Sequence, residues 1–243
     1  MAPVAALLFC GPQFAVAADD EPHAMHHHAG MSMPADNSID AVLRAKLLAD
    51  KTESEFNHHL AGLLVVLAGL LILAEGNIRE RRPAVRLVWP LCFLLSGLFV
   101  LVFSDTELWP FGPQSWQFGL THHAEVLQHK VFAALLLAVG VIELQRTRGV
   151  LKAAWATWVF PAVAIIGSLM LFFHDHQGSM HGANHMALME RIQSQHVSFA
   201  VTGFGIALSK GLAETRFGWR QFFERLFPTL LVVLGSLLLV YVE

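Results

Sequence analysis

Six apolar runs, each about as long as a helix that crosses a bilayer, constrain this sequence more than any other feature. Roughly 20 apolar residues in a helix span the ~30 Å hydrocarbon core of a membrane. Because 55% of the residues are hydrophobic and 14% are charged, the chain has more apolar surface than a soluble core could bury. We therefore predict an all-α polytopic membrane protein with six transmembrane helices. The runs lie at about 57–75, 84–103, 125–145, 153–173, 192–210 and 226–242.

The same composition excludes several other classes of protein. A formal net charge of −3 provides no basic surface for a phosphate backbone, so we expect no nucleic-acid partner. The two cysteines, Cys10 and Cys92, give no disulfide framework and no CxxC site. The sequence also lacks a phosphate-binding glycine loop and a nucleophile elbow, and we assign no catalytic residue from it.

The N-terminal part of the chain predicts export. Residues 1–18 resemble a secretory signal peptide, with a small-x-small cleavage pattern at Ala15-Val16-Ala17. A lipoprotein anchor at Cys10 and an uncleaved N-terminus are the alternatives. Residues 19–50 predict a flexible periplasmic tail rich in His and Met, and residues 51–243 predict the six-helix transmembrane domain.

Basic residues predict the orientation of the helices. Of the 13 Lys and Arg after residue 55, 11 fall in the first, third and fifth connections between the apolar runs. The positive-inside rule makes these connections cytoplasmic and both termini external, with a bacterial inner membrane as the expected location. All 14 histidines then lie on the periplasmic side. The 11 basic residues are Arg79, Arg81, Arg82, Arg86, Arg146, Arg148, Lys152, Lys210, Arg216, Arg220 and Arg225.

The six runs also predict three parallel two-helix repeats, at about 55–105, 122–174 and 189–243. The first, third and fifth predicted helices (the odd helices) each begin near a histidine. The second, fourth and sixth (the even helices) each contain an aromatic residue followed by proline, and then a pair of small residues. The histidine spacings are 70 and 67 residues, and the proline spacings are 71 and 67. The histidines are His59, His129 and His196, and the prolines are Pro90, Pro161 and Pro228.

Several polar residues near these histidines predict a metal site shared by three helices. His122, Glu125 and His129 have the i, i+3, i+4 spacing of one helical face, and Glu55 precedes His59 by four residues. Imidazole is the commonest metal ligand, and carboxylates can orient it. Interfacial histidines that cap helices are the alternative. The candidate ligands are His58, His59, His122, His123, Glu125, His129 and His196, with Glu55, Asp175 and Met189 as supporting residues.

Two segments rich in His and Met predict copper capture. Thioethers are soft ligands that favour Cu(I), and imidazole also binds Cu(II). One segment is the connection 174–186 between the fourth and fifth runs, and the other lies in the N-terminal tail. A polar turn and an expression tag, respectively, are the alternatives. The candidate ligands are His174, His176, Met180, His181, His185 and Met186 in the connection, and His23, Met25, His26, His27, His28, Met31 and Met33 in the tail.

Charged residues lie at the predicted cytoplasmic ends of the first, third and fifth helices. Glu75 ends the first, Glu143 ends the third, and Lys210 and Glu214 end the fifth. They predict either an inner polar ring of the kind that a transport path needs, or interfacial charges beside the basic connections.

The His/Met-rich tail and outer loops resemble those of bacterial copper-handling proteins of the cell envelope. The polytopic body resembles the copper-resistance D family of inner-membrane proteins. This resemblance covers ligand chemistry and topology, and it implies that the outward His and Met residues meet copper. The expected partners are the lipid bilayer, a metal ion and a periplasmic copper carrier.

Three functions are compatible with the sequence. The first is a non-enzymatic protein that captures copper at the periplasmic face and holds or relays it. The second is a membrane metalloenzyme with a three-histidine zinc site and Glu55 or Glu125 as general base. The third is a b-type haem protein with axial histidines. The corresponding cofactors are copper, zinc and haem.

Overall fold

The computed structural model describes residues 36–78, 83–172, 183–215 and 218–243, and in these ranges the chain is helical and contains no β-strand. The predicted all-α class is confirmed. The chain divides into two compact units, Met1–Val42 and Leu43–Glu243. The elements are α1 (Asp36–Ile78), a 3-10 helix (Pro83–Leu87), α2 (Val88–Phe103), α3 (Trp116–His122), α4 (Ala124–Thr147), α5 (Ala156–Phe172), α6 (Ala183–Ala213) and α7 (Arg220–Leu239).

Four stretches of the described helices are long and apolar enough to cross a membrane. Their outer faces carry large apolar side chains, such as Leu63 at 54% and Leu95 at 55% exposure. Soluble monomers rarely expose contiguous apolar surface on this scale, whereas lipid tails would cover it. The helices therefore indicate a membrane protein. The four stretches are Arg44–Glu75, Ala84–Phe103, Ala124–Thr147 and Arg220–Leu239.

The other two predicted runs are also helical, but they do not meet the same criteria. The run at 153–173 forms α5, whose 17 residues make it shorter than the four candidate spans. The run at 192–210 lies in the 31-residue α6, where Ser198, Thr202 and Ser209 interrupt the apolar sequence. The described part of the chain thus contains four candidate spans where the sequence predicts six.

Two local expectations differ from the structure. Residues 36–50, the described part of the predicted flexible tail, belong to α1, because Ala, Leu, Arg and Lys are strong helix formers. The predicted shared face of His122, Glu125 and His129 is wrong, since extended backbone at His123 separates α3 from α4. Near the end of α3, the Thr121 hydroxyl donates to the carbonyl oxygen of Gln117, a side-chain bond that competes with helix propagation.

The helices of the second unit contact one another in a closed order. Extensive contacts join α2 to α4, α5 to α6 and α6 to α7, and smaller ones join α4 to α5. Phe56 of α1 meets Phe99 of α2 edge to face, and Gly62 of α1 lies against Gly235 of α7. These contacts join the helices in the closed order α1–α2–α4–α5–α6–α7–α1, and individual side chains also contact other helices across the core.

Aromatic rings fill part of the core between these helices. Phe160 of α5 packs edge to face with Phe93 of α2 at 5.4 Å and with Phe227 of α7 at 5.2 Å between ring centroids. All three side chains are buried. Such edge-to-face pairs stabilise by about 0.5–1.5 kcal/mol beyond the burial of their area. This apolar layer lies between two polar ends of the helical assembly.

Candidate functional site

One of these two ends collects the described helix histidines, and we call it the histidine end. The carboxylate of Glu53 accepts a hydrogen bond from the Thr106 hydroxyl, which joins α1 to the segment that follows α2. Gln195 of α6 exchanges two hydrogen bonds with the backbone of Val242, at 2.9 and 3.2 Å. The histidine end thus consists of residues 53–59, 104–107, 122–130, 189–196 and 240–243.

The rings of His58 and His196 meet at this end beside Tyr241. Their centroids lie 6.1 Å apart, with the ring planes nearly perpendicular at 86°. The Tyr241 ring stacks on that of His58 at 3.9 Å, and its centroid lies 6.0 Å from that of His196. His196 is 1% exposed, and Tyr241 is fully buried. Burial raises the pKa of the Tyr241 hydroxyl, so this side chain stays neutral.

Backbone carbonyls fix which ring nitrogen carries the proton in both histidines. Nδ1 of His58 lies 2.8 Å from the carbonyl oxygen of Ser54, and Nδ1 of His196 lies 2.9 Å from that of Ile192. A carbonyl oxygen only accepts, so Nδ1 must donate and Nε2 becomes the acceptor atom of the neutral ring. Histidines that bind metals through one nitrogen usually donate from the other in this way.

His59, the residue that the repeat spacing selects in α1, contacts the C-terminal residues of the chain. Its Nε2 lies 3.0 Å from the carbonyl oxygen of Tyr241, so it anchors residues 240–243 to α1. Its neighbour His58 is the residue that faces His196. The proline spacings could have identified His58 as the equivalent residue. They are 71 and 67 residues, which are also the intervals from His58 to His129 and from His129 to His196.

His129 is held by a buried carboxylate that sequence reasoning missed. Asp105 accepts hydrogen bonds from Nδ1 of His129 at 2.9 Å, from Nζ of Lys130 at 2.7 Å and from the Ser104 hydroxyl. Burial favours the neutral carboxyl, but His129 and Lys130 outweigh this effect and hold the pKa of Asp105 below its usual range. The signal in the sequence was Lys130, a cation outside the basic connections that needed a partner.

The remaining described candidates occupy the edges of this end. His122 is exposed and stacks on Phe118 with ring centroids 4.4 Å apart. His123 caps α4 through its extended backbone. Glu55 accepts a hydrogen bond from the backbone N–H of Glu243 at 3.0 Å and pairs with Lys51. Glu125 in α4 and Met189 in α6 are both half-buried.

Most of the His/Met-rich segments predicted to capture copper lie outside the described residues. The exceptions are His185 and Met186, which belong to α6 but whose side chains are not described. Those outside are His23, Met25, His26, His27, His28, Met31 and Met33 of the tail, and His174, Asp175, His176, Met180 and His181 of the connection between α5 and α6.

The structure brings some predicted ligands together and leaves others apart. His58 and His196 are in contact, and His129 is paired with Asp105. Within the ranges 36–78, 83–172, 183–215 and 218–243, no group of three or more His, Cys, Asp or Glu side chains is placed to hold one metal ion. Two imidazoles that share an ion must each place one nitrogen within ~4.2 Å of the other's, and the ring centroids of His58 and His196 are 6.1 Å apart.

The opposite end, which we call the charged end, contains a network of ion pairs. Arg146 bonds Glu143 at 2.7 Å and Glu214 at 3.1 Å, and Lys210 bonds Glu214 at 2.7 Å. Burial raises the pKa of Glu214, but Lys210 and Arg146 reverse that effect and lower it. These contacts tie the end of α4 to the end of α6.

Comparisons of the chain with protein-family models, with curated proteins and with solved structures found no match. Any function must therefore be argued from the residues and contacts described above.

Proposed function

We propose that this chain is an integral membrane protein that binds copper at its histidine end. The observation that carries the proposal is shared by His58, His129 and His196. Each donates a hydrogen bond from Nδ1 to an oxygen atom, so the lone pair of the neutral ring is on Nε2, the tautomer in which histidine binds a metal through Nε2. The pair formed by Asp105 and His129 has the form of the carboxylate–histidine unit that supports many metal sites.

The proposed site revises the ligand set. His58 replaces His59, because the ring that lies beside His196 is that of His58. His58 and His196 form the core of the site, and His129 joins them once an ion is bound. We propose that the tail and the 174–186 connection collect the ion and deliver it, with a periplasmic copper carrier as the donor.

Copper is the proposed ion because of the methionines. The segments predicted to capture metal combine imidazole with thioether, the ligands that favour Cu(I) and tolerate Cu(II). Zinc would be favoured instead if Glu125 served as base or ligand beside the three histidines. A b-type haem held by axial histidines would produce a Soret band in the purified protein.

The helix contacts support the proposed topology of three parallel two-helix repeats. A small residue lies seven positions after each repeat proline and contacts the first helix of the next unit, which is α4, α6 or α1. The three units are therefore related in the same cyclic way. On this proposal α5 and α6 also cross the membrane. Both termini and the histidine end then face the periplasm of a bacterial inner membrane. The contacts are Gly97 with Leu137, Ser168 with Gly203, and Gly235 with Gly62.

Metal analysis of the purified full chain tests the proposal. The protein is loaded with Cu(I) or Zn(II), freed of excess ion and analysed by mass spectrometry, alongside His58→Ala, His196→Ala and the control His122→Ala. We expect each of the first two variants to lose one tightly bound copper, and His122→Ala to lose none, because His122 is exposed at the edge. The thermal midpoint of each metal-free variant checks that it is folded.

Two results would contradict the proposal. If folded His58→Ala and His196→Ala bind as much copper as the unmodified protein, the helix histidines are not ligands. If zinc is retained and copper is removed by the same wash, the metal is wrong and the zinc alternative takes its place.

A further inference from the structure

The charged end contains an open cavity of ≈ 450 Å³ that the copper proposal does not use. It lies between the 3-10 helix, the end of α4, the connection after α4 and the end of α6. Six charged side chains line it, four basic and two acidic. They are Arg86, Arg146, Lys152, Lys210, Glu75 and Glu143.

The ion pairs of the charged end leave a positive excess on the cavity wall. Arg146 and Lys210 are compensated by Glu143 and Glu214. Among the described residues, Arg86, Lys152 and Glu75 form no ion pair, so the charges on and beside the cavity wall leave an excess of one positive charge. Nε of Arg86 is buried and has no hydrogen-bond acceptor in that part of the chain. A buried guanidinium nitrogen without an acceptor costs free energy that an oxygen from a bound anion would recover.

The start of α5 adds a second feature that attracts anions. Ala153, Ala154 and Thr157 line the cavity, and α5 begins at Ala156. The N–H groups of Ala156, Thr157 and Trp158 already donate to the carbonyl oxygens of Ala153, Ala154 and Trp155, so this helix start contributes the partial positive charge of the helix dipole rather than free donors. A helix start beside arginine and lysine is a common environment for phosphate oxygens.

We propose that this cavity binds a phosphate group, with Arg86 and Lys152 as its charged contacts. The position of the cavity suits the phosphate of a lipid headgroup. It lies where the candidate span Ala84–Phe103 begins and the candidate span Ala124–Thr147 ends, which is the depth of headgroups. Free inorganic phosphate has the same chemistry, and experiment distinguishes the two sources. The site is independent of the proposed copper site.

Calorimetric titration of the purified protein in a nonionic detergent tests this proposal. The probes are short-chain phosphatidylglycerol, short-chain phosphatidylcholine and inorganic phosphate. We expect phosphatidylglycerol to bind more tightly than phosphatidylcholine, because the net negative charge is retained only in the first. Lys152→Gln and Arg86→Gln should each weaken binding by about fivefold, the loss expected for one basic residue near an anionic headgroup.

Arg148→Gln is the matched control. Arg148 lies in the same connection as Lys152 and is exposed, but it does not line the cavity. Its substitution removes the same charge and should leave binding unchanged. Binding of phosphatidylglycerol alone identifies a lipid site, and equal binding of inorganic phosphate identifies a free-anion site. Absence of binding, unchanged binding in Lys152→Gln, or an equal loss in Arg148→Gln overturns the proposal.

Discussion

Asp105 is the residue whose charge is most tightly enclosed at the histidine end. Its side chain and that of Lys130 are each 8% exposed, and their charged atoms lie 2.7 Å apart. Removal of one partner from a buried ion pair leaves the other charge without compensation and costs about 3–5 kcal/mol. We therefore expect Asp105→Asn to lower the free energy of unfolding by about 3 kcal/mol, measured by denaturant titration in micelles.

Glu107→Gln is the control for this prediction. The ion pair of Glu107 with Lys46 is exposed on both sides, at 52% and 62%, so its loss should cost less than about 1 kcal/mol. Equal losses in the two variants would show that Asp105 is not a buried structural charge.

Folding lowers the pKa of Asp105, so the stability of the protein depends on pH. The contribution of Asp105 to the free energy of unfolding is present above the ordinary carboxyl pKa of ~3.9 and is lost as pH falls through the pKa of the folded state.

The histidines show how far sequence reasoning reaches at single residues. Spacing and the positive-inside rule placed His129 and His196 at one end, and the structure groups them there with His58 and His59. Spacing could not choose between the adjacent His58 and His59, because a shift of one position turns a helical side chain by about 100°. Tyr241 was also missed, since its burial depends on how residues 240–243 fold against α1 and α6.

At the scale of elements, glycine determines how closely α1 and α7 approach. A Cβ atom at Gly62 would lie 2.7 Å from the carbonyl oxygen of Gly235, and a Cβ at Gly235 would lie 2.6 Å from the backbone nitrogen of Val66. Backbone atoms cannot move aside without separating the helices. We expect Gly62→Ala and Gly235→Ala each to lower the free energy of unfolding by about 1–3 kcal/mol, read from denaturant titration.

Gly167→Ala provides the comparison at a less crowded contact. The nearest atom to its Cβ would be Cε1 of Phe132 at 3.4 Å, close to ordinary van der Waals contact, and alanine is the better helix former. Its stability should therefore be unchanged or slightly higher. A loss in Gly167→Ala as large as that in Gly62→Ala would argue against close packing as the cause.

Helix existence was easier to predict than helix boundaries. Long apolar runs identify α2, α4 and α7 because lipid and core both require apolar side chains. The start of α1 at Asp36 was missed, since residues 36–50 mix polar and apolar side chains and this pattern alone does not separate an exposed helix from a tail. The break at His123 was missed because neither proline nor glycine stands beside it in the sequence.

At the scale of the whole molecule, the closed order of helix contacts has a consequence for topology. In the proposed three-repeat arrangement the three helix pairs run in the same direction, and α5 and α6 then cross the bilayer as α2 and α1 do. If only the four candidate spans cross the membrane, the connection between α5 and α6 lies on the same side of the membrane as the connection after α4. The two arrangements differ in where residue 177, between α5 and α6, is found.

Cysteine labelling in bacterial spheroplasts distinguishes the two topologies. In a chain with Cys10 and Cys92 replaced by serine, we expect Gln117→Cys and Gln177→Cys to react with a membrane-impermeant maleimide. Arg148→Cys and Gly218→Cys should react only after lysis, because the positive-inside rule predicts that the basic connections are cytoplasmic. Gln117, Arg148 and Gly218 are exposed, so access to them depends on the side of the membrane rather than on burial. If Gln177→Cys, like Arg148→Cys, reacts only after lysis, then α5 and α6 do not span the bilayer, and the three-repeat arrangement is wrong.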